Sequence, residues 1–317
     1  MPADCVIGVD LGGTKLLAGV VDAGLAVHHR AFRPAPAAGA VDAIEEIVRE
    51  LVQSSAAPVV AVGVGIPSLT DAGRGRARWT NHLDLEGVTV ADLLSERLGL
   101  PVAVDNDANA ALLAEHHAGA ARGARHAVML TLGTGIGGAM VVDGRIVRGA
   151  GGSAGEWGHV VVEADGPECP GHCPGRGCLE AMASGTGLAR AGERLAAEQP
   201  ESALGAERAA GRAITGALVT ELAHDGDPAA VAALAEVGRW LGVGLTSIAN
   251  ALDPEVIVIG GGVIAAGELL LGPARAELRA RALPPMAGSV RVEPAVFGAE
   301  SGMLGAALLA RSGPLDG

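Results

Sequence analysis

The sequence predicts an α/β protein built from two domains, and three observations carry that expectation. Short apolar runs alternate with stretches of helical spacing along most of the chain. A strand–glycine turn–strand unit occurs twice, as "CVIGVDLGGTKLLAGVVDAG" at 5–24 and "HAVMLTLGTGIGGAMVVDGR" at 126–145. The length of 317 residues allows two domains that each bury a core.

The elements follow in chain order. The first hairpin turns at Gly12, Gly13 and Thr14 and its second run ends at Asp22-Ala23-Gly24. A helix is expected near 40–54, where Val41, Ile44, Ile47, Val48, Leu51 and Val52 keep helical spacing. "PVVAVGVGI" (58–66) reads as a buried strand, and the loop 70–87, rich in Gly, Arg and Asp, is expected to be mobile. "PVAVDND" (101–107) reads as a strand ending at carboxylates, continued by a helix over "ANAALLAEHHAGA". The second hairpin turns at Gly133, Thr134 and Gly135 and ends at Asp143-Gly144. Residues 196–214, rich in Ala, Glu and Arg, read as exposed helix surface. Pro228 to Leu252 reads as mostly helical, "EVIVIGGGV" (255–263) as a buried strand meeting a Gly turn, and 301–312 as a closing helix.

Composition excludes several classes of function. The chain is 49% hydrophobic and 19% charged, the balance of a globular protein. No unbroken apolar run approaches the roughly eighteen residues of a membrane span. The opening "MPADCVIGVDLGG" lacks the basic region and cleavage site of a secretory signal, so the expected location is the cytoplasm, where disulfides are not expected. Net charge is −13 with no Lys/Arg-rich tract, which argues against a nucleic-acid partner. Lys15 is the only lysine, tyrosine is absent and aromatic residues make up 2%, so a polar ligand has to be held by hydrogen bonds.

The glycine turns expose backbone N–H groups that suit phosphate oxygens. Either turn alone is equally an ordinary tight hairpin, but two in register favour a duplicated phosphate-binding unit. Neither turn opens a helix, and neither G-x-x-x-x-G-K-[ST] nor a helix-opening G-x-G-x-x-G is present. The stretch "GEWGHVVVEADGPECPGHCPGRGCLEA" (155–181) gathers three cysteines and two histidines. Buried thiols, a redox pair and a metal site all compete for it, and the lack of C-x-x-C weakens the redox reading.

Together, "DLGGTK" (10–15), "VDNDANAA" (104–111), "LGTGIGG" (132–138), "GEWGH" (155–159), "CPGRGCLE" (173–180) and "IGGGV" (259–263) closely resemble the ROK (repressor, ORF, kinase) family. The resemblance runs from Asp10 to about Gly305 and is strongest to bacterial ATP-dependent glucokinases. It implies an actin/hexokinase-like, duplicated ribonuclease H-like α/β fold with a central interdomain cleft. The implied small domain covers 1–117 plus a closing helix at about 301–317, and the large domain covers 118–300. The implied reaction moves a phosphoryl group from ATP, with Mg²⁺, to the 6-hydroxyl of a hexose, glucose before others. A homodimer or homotetramer is implied as well.

The family's site residues map onto matching positions. The resemblance places Gly12, Gly13, Thr14 and Lys15 near the terminal phosphates, with Thr131, Gly133, Thr134 and Gly135 facing them and Gly261 and Gly262 near the nucleoside. Asp10 would orient Mg²⁺ through water. Asp107 matches the base that takes the proton of the sugar hydroxyl, with capping of the following helix as the plain alternative. If 101–107 is extended throughout, Asp105 points to the same face and is the second candidate. Asn106, Glu156, His159 and Glu180 match sugar-binding positions, and Ser68 of "GIPS" (65–68) shapes the pocket.

The family's zinc pattern is a His in E-x-G-H followed by C-x-C-G-x-x-G-C. Here Cys173 and Cys178 fit, whereas the first cysteine is displaced: Gly171 stands at its position and Cys169 lies two residues earlier. The expected structural Zn²⁺ ligands are His159, Cys169, Cys173 and Cys178, with His172 competing as the fourth. A zinc-bound His159 would aim its second nitrogen at a sugar hydroxyl beside Glu156. Rival expectations are a kinase for N-acetylmannosamine or another hexose, use of polyphosphate as donor, and a sugar-responsive regulator. The last is disfavoured by "DLGGTK" beginning at residue 10, which leaves no room ahead of it for a DNA-binding segment.

Overall fold

The computed structural model of the chain describes residues 4–71, 75–80, 83–171 and 173–312. Contacts divide it into two units, Met1–Gly123 with Ala139–Gly155 and Ala295–Gly317, and Ala124–Gly138 with Glu156–Pro294. The expectation was a change of domain only near 117 and near 300. The segment 139–155 falls in the first unit because Arg148 and Gly151 bond to Asp105 and Arg78 there.

The chain begins with β1 (Cys5–Leu11), β2 (Lys15–Val21), β3 (Val27–Pro34), α1 (Ala40–Ser54) and β4 (Val59–Ile66). It continues through β5 (Ser68–Asp71), β6 (Arg76–Thr80), α2 (Val90–Leu98), β7 (Val102–Asn106) and α3 (Asp107–Ala118). One sheet has the order β3-β2-β1-β4-β7, antiparallel across β3-β2-β1 and parallel across β1-β4-β7. All seven residues of β1 are buried, as a central strand covered on both faces requires.

Alternation along β1 divides its side chains between two cores. Cys5, Ile7, Val9 and Leu11 pack with the apolar stripe of α1 and with α2, while Val6 joins a cluster with Met303, Leu304 and Ala307. Those three residues belong to the closing helix, which runs Ser301–Ser312. On the same face as Val6 lie Gly8 and Asp10. A Cβ at Gly8 or at Gly63 would strike the carbonyl of Met303 or Ala306, so these glycines let the helix lie directly on the sheet. Asp10 thereby comes to rest against Gly302.

Two parts of this unit differ from the expectation. β3, "VHHRAFRP", buries only Ala31 and carries no apolar alternation, so it is legible only as the edge partner of β2. The loop 70–87 contains the β5–β6 hairpin, because Thr70, Ala77 and Leu85 are buried and fasten it; residues 72–74 and 81–82 lie outside the described residues.

The second half of the chain begins with β8 (Ala127–Leu132), β9 (Ile136–Val142) and β10 (Arg145–Ile146). It proceeds through α4 (Leu179–Ala183), α5 (Gly185–Glu198), α6 (Ala203–Ala209), α7 (Gly216–His224) and α8 (Pro228–Leu252). β11 (Val256–Gly260), α9 (Glu268–Arg281), α10 (Pro284–Ser289) and β12 (Arg291–Pro294) follow, and the closing helix is α11. The second sheet has the order β10-β9-β8-β11-β12, with β8, β11 and β12 parallel. Both sheets thus place their third, second, first, fourth and fifth strands side by side in that order. The duplication read from the two hairpins extends to whole sheets.

α8 starts and stops where its residues dictate. Asp227 caps it by accepting from Ala230 N at 3.0 Å, Pro228 takes its first position and Asp253 ends it in a left-handed conformation. The helix is long and apolar enough to cross a membrane by length and composition, but here it packs on α4, α5, α7 and α9, and its Glu236 pairs with Arg194. The stretch 196–214 is exposed surface only in part, since Ser202, which caps α6, and Leu204 and Gly205 on it turn inward.

Candidate functional site

The first glycine turn closes with Gly12 N donating to Lys15 O at 2.8 Å, and its tip, Gly13 and Thr14, is exposed. At its base Asp10 is buried, and burial pushes its carboxyl above the ordinary range while Lys15 pulls it down. Lys15 Nζ stands 3.4 Å from Asp10 Oδ2 and donates to Ala299 O at 2.9 Å. The turn therefore offers backbone N–H groups and one cation around a buried carboxylate, a set that suits a metal–phosphate group.

The strand–helix junction from β7 to α3 separates the two candidate carboxylates. β7 ends at Asn106 and α3 begins at Asp107, so the alternation expected to put Asp105 and Asp107 on one face breaks between them. Asp105, 2% exposed, accepts from Asn106 N at 2.8 Å, Asn109 Nδ2 at 3.0 Å, and Arg148 Nε and Nη2 at 2.9 and 2.7 Å. Asn106 caps α3, its Oδ1 accepting from Ala108 N and Asn109 N at 2.9 and 3.1 Å, while its Nδ2 donates to Ser68 O at 3.2 Å. Asp107, half-buried, accepts from Ala108 N at 2.9 Å. Ser68 is buried with its hydroxyl turned to Trp79 O at 3.0 Å, so it braces Asn106 through its carbonyl.

In the second unit, the Gly133–Gly135 turn is held by a helix that sequence order does not place beside it. Gly185 N, at the start of α5, donates to Gly133 O at 2.8 Å, and Thr186 Oγ1 donates to Thr134 O at 2.8 Å. The turn's carbonyls are thus engaged and its tip at Thr134 is exposed. Thr131, near the end of β8, lies opposite Gly260 of β11. Gly261 follows with φ +83°, and a Cβ there would strike the backbone of Leu132, so only glycine lets the two strand ends approach; Gly262 is open.

The Cys/His stretch closes on itself. One ligand atom each from His159, Cys169, Cys173 and Cys178 lies within 4.8 Å of the others, a spacing one tetrahedral ion fits. Cys169, two residues from the family position, still belongs to the set; His172 lies outside the described residues. Among the described residues none of the four cysteines is in a disulfide, and Cys5 is the buried core thiol expected. Burial and the neighbouring Cys173 and Cys178 push the Cys169 thiol up.

Glu180, buried beside this set, accepts from Ile136 N at 2.7 Å and, on its other oxygen, from Cys169 Sγ at 3.4 Å. Glu156 Oε2 lies 3.9 Å from His159 Nε2; burial raises its carboxyl, His159 opposes that, and Glu180 adds to it. The indole N–H of Trp157, next to Glu156, has no protein partner among the described residues.

Sequence reasoning missed Arg148. It lies 43 residues from Asp105 in a glycine-rich segment whose only signal is a lone cation. It likewise missed the bond from Ile136 to Glu180.

Two sheets of the same strand order, each with an exposed glycine turn, define a protein of the actin/hexokinase-like fold. The ROK family model matches residues 6–312, and the chain belongs to that family. A glucokinase of Streptomyces coelicolor is 34% identical over 96% of this chain and 97% of its own. An N-acetylmannosamine kinase of Citrobacter koseri is 35% identical over 96% of this chain and 98% of its own. The crystal structure of a ROK family glucokinase from Streptomyces griseus in complex with glucose and AMPPNP superposes with a TM-score of 0.89 at 37% identity, covering 98% of this chain and 100% of that one.

Proposed function

We propose that the chain is an ATP-dependent hexose kinase that phosphorylates the 6-hydroxyl of glucose. The observation that carries this reading is the unequal pair at 105–107. Asp105 is buried and held by Arg148 and Asn109, whereas Asp107 stands half-buried at the first position of α3. A sugar hydroxyl is a weak nucleophile and needs a carboxylate to take its proton as the phosphoryl group arrives. In the proposed step Asp107 accepts the proton of the 6-hydroxyl and the sugar oxygen bonds to the γ-phosphorus. The bond from that phosphorus to the bridging oxygen breaks, and ADP leaves. Likeness to a glucokinase solved with glucose and AMPPNP supports both substrates.

In this reading Asn106, Glu156, His159 and Glu180 bind the sugar. Asp10, Gly12, Gly13, Thr14 and Lys15 serve the phosphates, as do Thr131, Gly133, Thr134 and Gly135, with Gly261 and Gly262 at the nucleoside. Asp10 would orient the Mg²⁺ that accompanies ATP, an ion that would supply neutralising charge at the phosphates. His159, Cys169, Cys173 and Cys178 would hold a structural Zn²⁺, since four such donors complete a tetrahedral ion and leave it no part in the chemistry. The enzyme works in the cytoplasm as a dimer or tetramer. The test is a coupled ADP-release assay with MgATP over a panel of hexoses; no turnover with any hexose would sink the reading. A second reading, an N-acetylmannosamine kinase, is favoured by the Citrobacter koseri likeness and is decided by the same panel.

A further inference from the structure

Arg148 departs from its surroundings. It sits in "VRGAGGSAG" (147–155), a stretch of glycine and small residues, yet its side chain is only 24% exposed and points at a carboxylate only 3% exposed. Both donors, Nε and Nη2, converge on Asp105 Oδ2 at 2.9 and 2.7 Å. The other oxygen, Oδ1, accepts from Asn106 N and Asn109 Nδ2 at 2.8 and 3.0 Å. Asp105 therefore divides its two oxygens between a cation on one side and the start of α3 on the other.

The backbone around Arg148 is held in place. Ala154 N donates to Arg148 O at 2.9 Å, which closes a short loop at its base. Arg78 Nη1 donates to Gly151 O at 2.6 Å, fastening the loop to β6. A Cβ at Gly152 would strike the carbonyl of Thr70, so the loop lies directly on β5 as well. β5 also begins with Ser68, whose carbonyl accepts from Asn106 Nδ2 at 3.2 Å. The loop and the cap of α3 thus rest on the same strand.

We propose that Arg148 is a positioning residue for the phosphoryl-transfer base: through Asp105 it fixes the Asn106 cap, and with it the place of Asp107 at the start of α3. The physical reason is that a helix cap sets the entry angle of the chain, and Asp107 is the first residue after that cap. A guanidinium is suited to the task, because its planar donors pin a carboxylate in orientation as well as charge. Arg148 acts through its two bonds to Asp105, so its effect has to be read in turnover more than in nucleotide binding.

This inference rests on the kinase reading, and the experiment separates the two. Wild type, Asp107→Asn, Arg148→Gln, Arg148→Lys, Asp105→Asn and the double variant Arg148→Gln/Asp105→Asn are assayed at matched folded fraction, set by circular dichroism. A misplaced reacting group loses roughly 10–100-fold in rate, so Arg148→Gln is expected to lose kcat on that scale with KM for MgATP changed less than about threefold. Arg148→Lys, which keeps the charge but not the planar fork, is expected to recover part of the loss. The double variant is expected to be no slower than the slower single variant, since both changes break one contact. Fully folded Arg148→Gln with wild-type kcat overturns the inference, as does a double variant whose losses multiply. If Arg148→Gln does not fold, Arg148→Lys decides alone: an unchanged kcat overturns the proposal and a several-fold loss supports it. A wild type that phosphorylates no hexose overturns the kinase reading itself.

Discussion

Glu180 joins the cysteine loop to the second glycine turn: one carboxylate oxygen accepts from Ile136 N at 2.7 Å and the other from Cys169 Sγ at 3.4 Å. Ile136 is the first residue of β9, directly after the turn, and Cβ atoms at Gly135 and Gly171 would both collide with this carboxylate. The proposed metal loop and the proposed phosphate turn therefore share one buried anion. Damage to either is felt by the other.

Glu180→Ala removes the acceptor of a buried N–H, which costs about 1–3 kcal/mol. Expected outcomes are a lower melting temperature and higher KM values for both MgATP and glucose. Glu180→Gln keeps an acceptor for Ile136 and is expected to melt near wild type while still losing glucose affinity. Thermal melts with paired KM measurements check this. An Ala variant as stable as wild type would show that the carboxylate supports nothing.

The four ligand atoms within 4.8 Å predict about one zinc per chain. Cys178 is fully buried immediately before α4, so Cys178→Ser leaves three ligands and a loop without its closing bond. Zinc content, thermal stability and sugar affinity are expected to fall together. Metal analysis of the purified protein checks the first, and a zinc-free, fully stable wild type would contradict it.

Legibility followed the range of the forces involved. α8 was readable to its ends because Asp227, Pro228 and Asp253 act on their own neighbours. α1 was readable from spacing alone, although Val52 at its far edge proves exposed. β3 was not legible, because an edge strand with one buried residue lacks the alternation that marks a strand. The cysteine set was legible despite the displaced Cys169, since a loop can absorb two residues where a helix cannot. The condition that made Asp105 the second candidate, an extended 101–107, fails because the period changes from strand to helix between Asp105 and Asp107. What decides their difference, Arg148, is distant in sequence and carries no periodic signal.

That difference predicts opposite signatures for two neighbouring isosteric changes. Asp107→Asn removes a proton acceptor and is expected to lower kcat by about 10²–10⁴-fold with little change in stability. Asp105→Asn leaves the largely buried Arg148 without its counter-charge, a loss of about 3–5 kcal/mol in such pairs. Its main effect is expected in the melting temperature, with the smaller kcat loss that misplacement brings. Kinetics and melts on both variants check the assignment. A catalytically crippled Asp105→Asn beside a mild Asp107→Asn would reverse it.

In the proposed reading the choice of sugar follows from Glu156 and Glu180, two carboxylates close enough to sense each other. Glu156 is raised by burial and by the charge of Glu180, while His159, 3.9 Å away, offsets part of this. Glu180 already accepts from Ile136 and Cys169, and in the proposed reading hydroxyls of the sugar are the further donors to the pair. Glucose carries free hydroxyls along its C1–C2–C3 edge and can donate to both acids while accepting from His159. An N-acetyl group at C2 removes one donor and adds bulk, and a buried carboxylate left short of a donor costs about 1–3 kcal/mol. That corresponds to roughly one to two decades in kcat/KM. The measurement is kcat/KM for glucose, mannose, N-acetylglucosamine and N-acetylmannosamine at saturating MgATP. Glucose is expected to lead the N-acetylated sugars by that margin. Glu156→Gln, which can donate as well as accept, is expected to narrow the gap. An N-acetylated sugar in front would show that the two acids do not face C2, and would move the enzyme to the N-acetylhexosamine kinases.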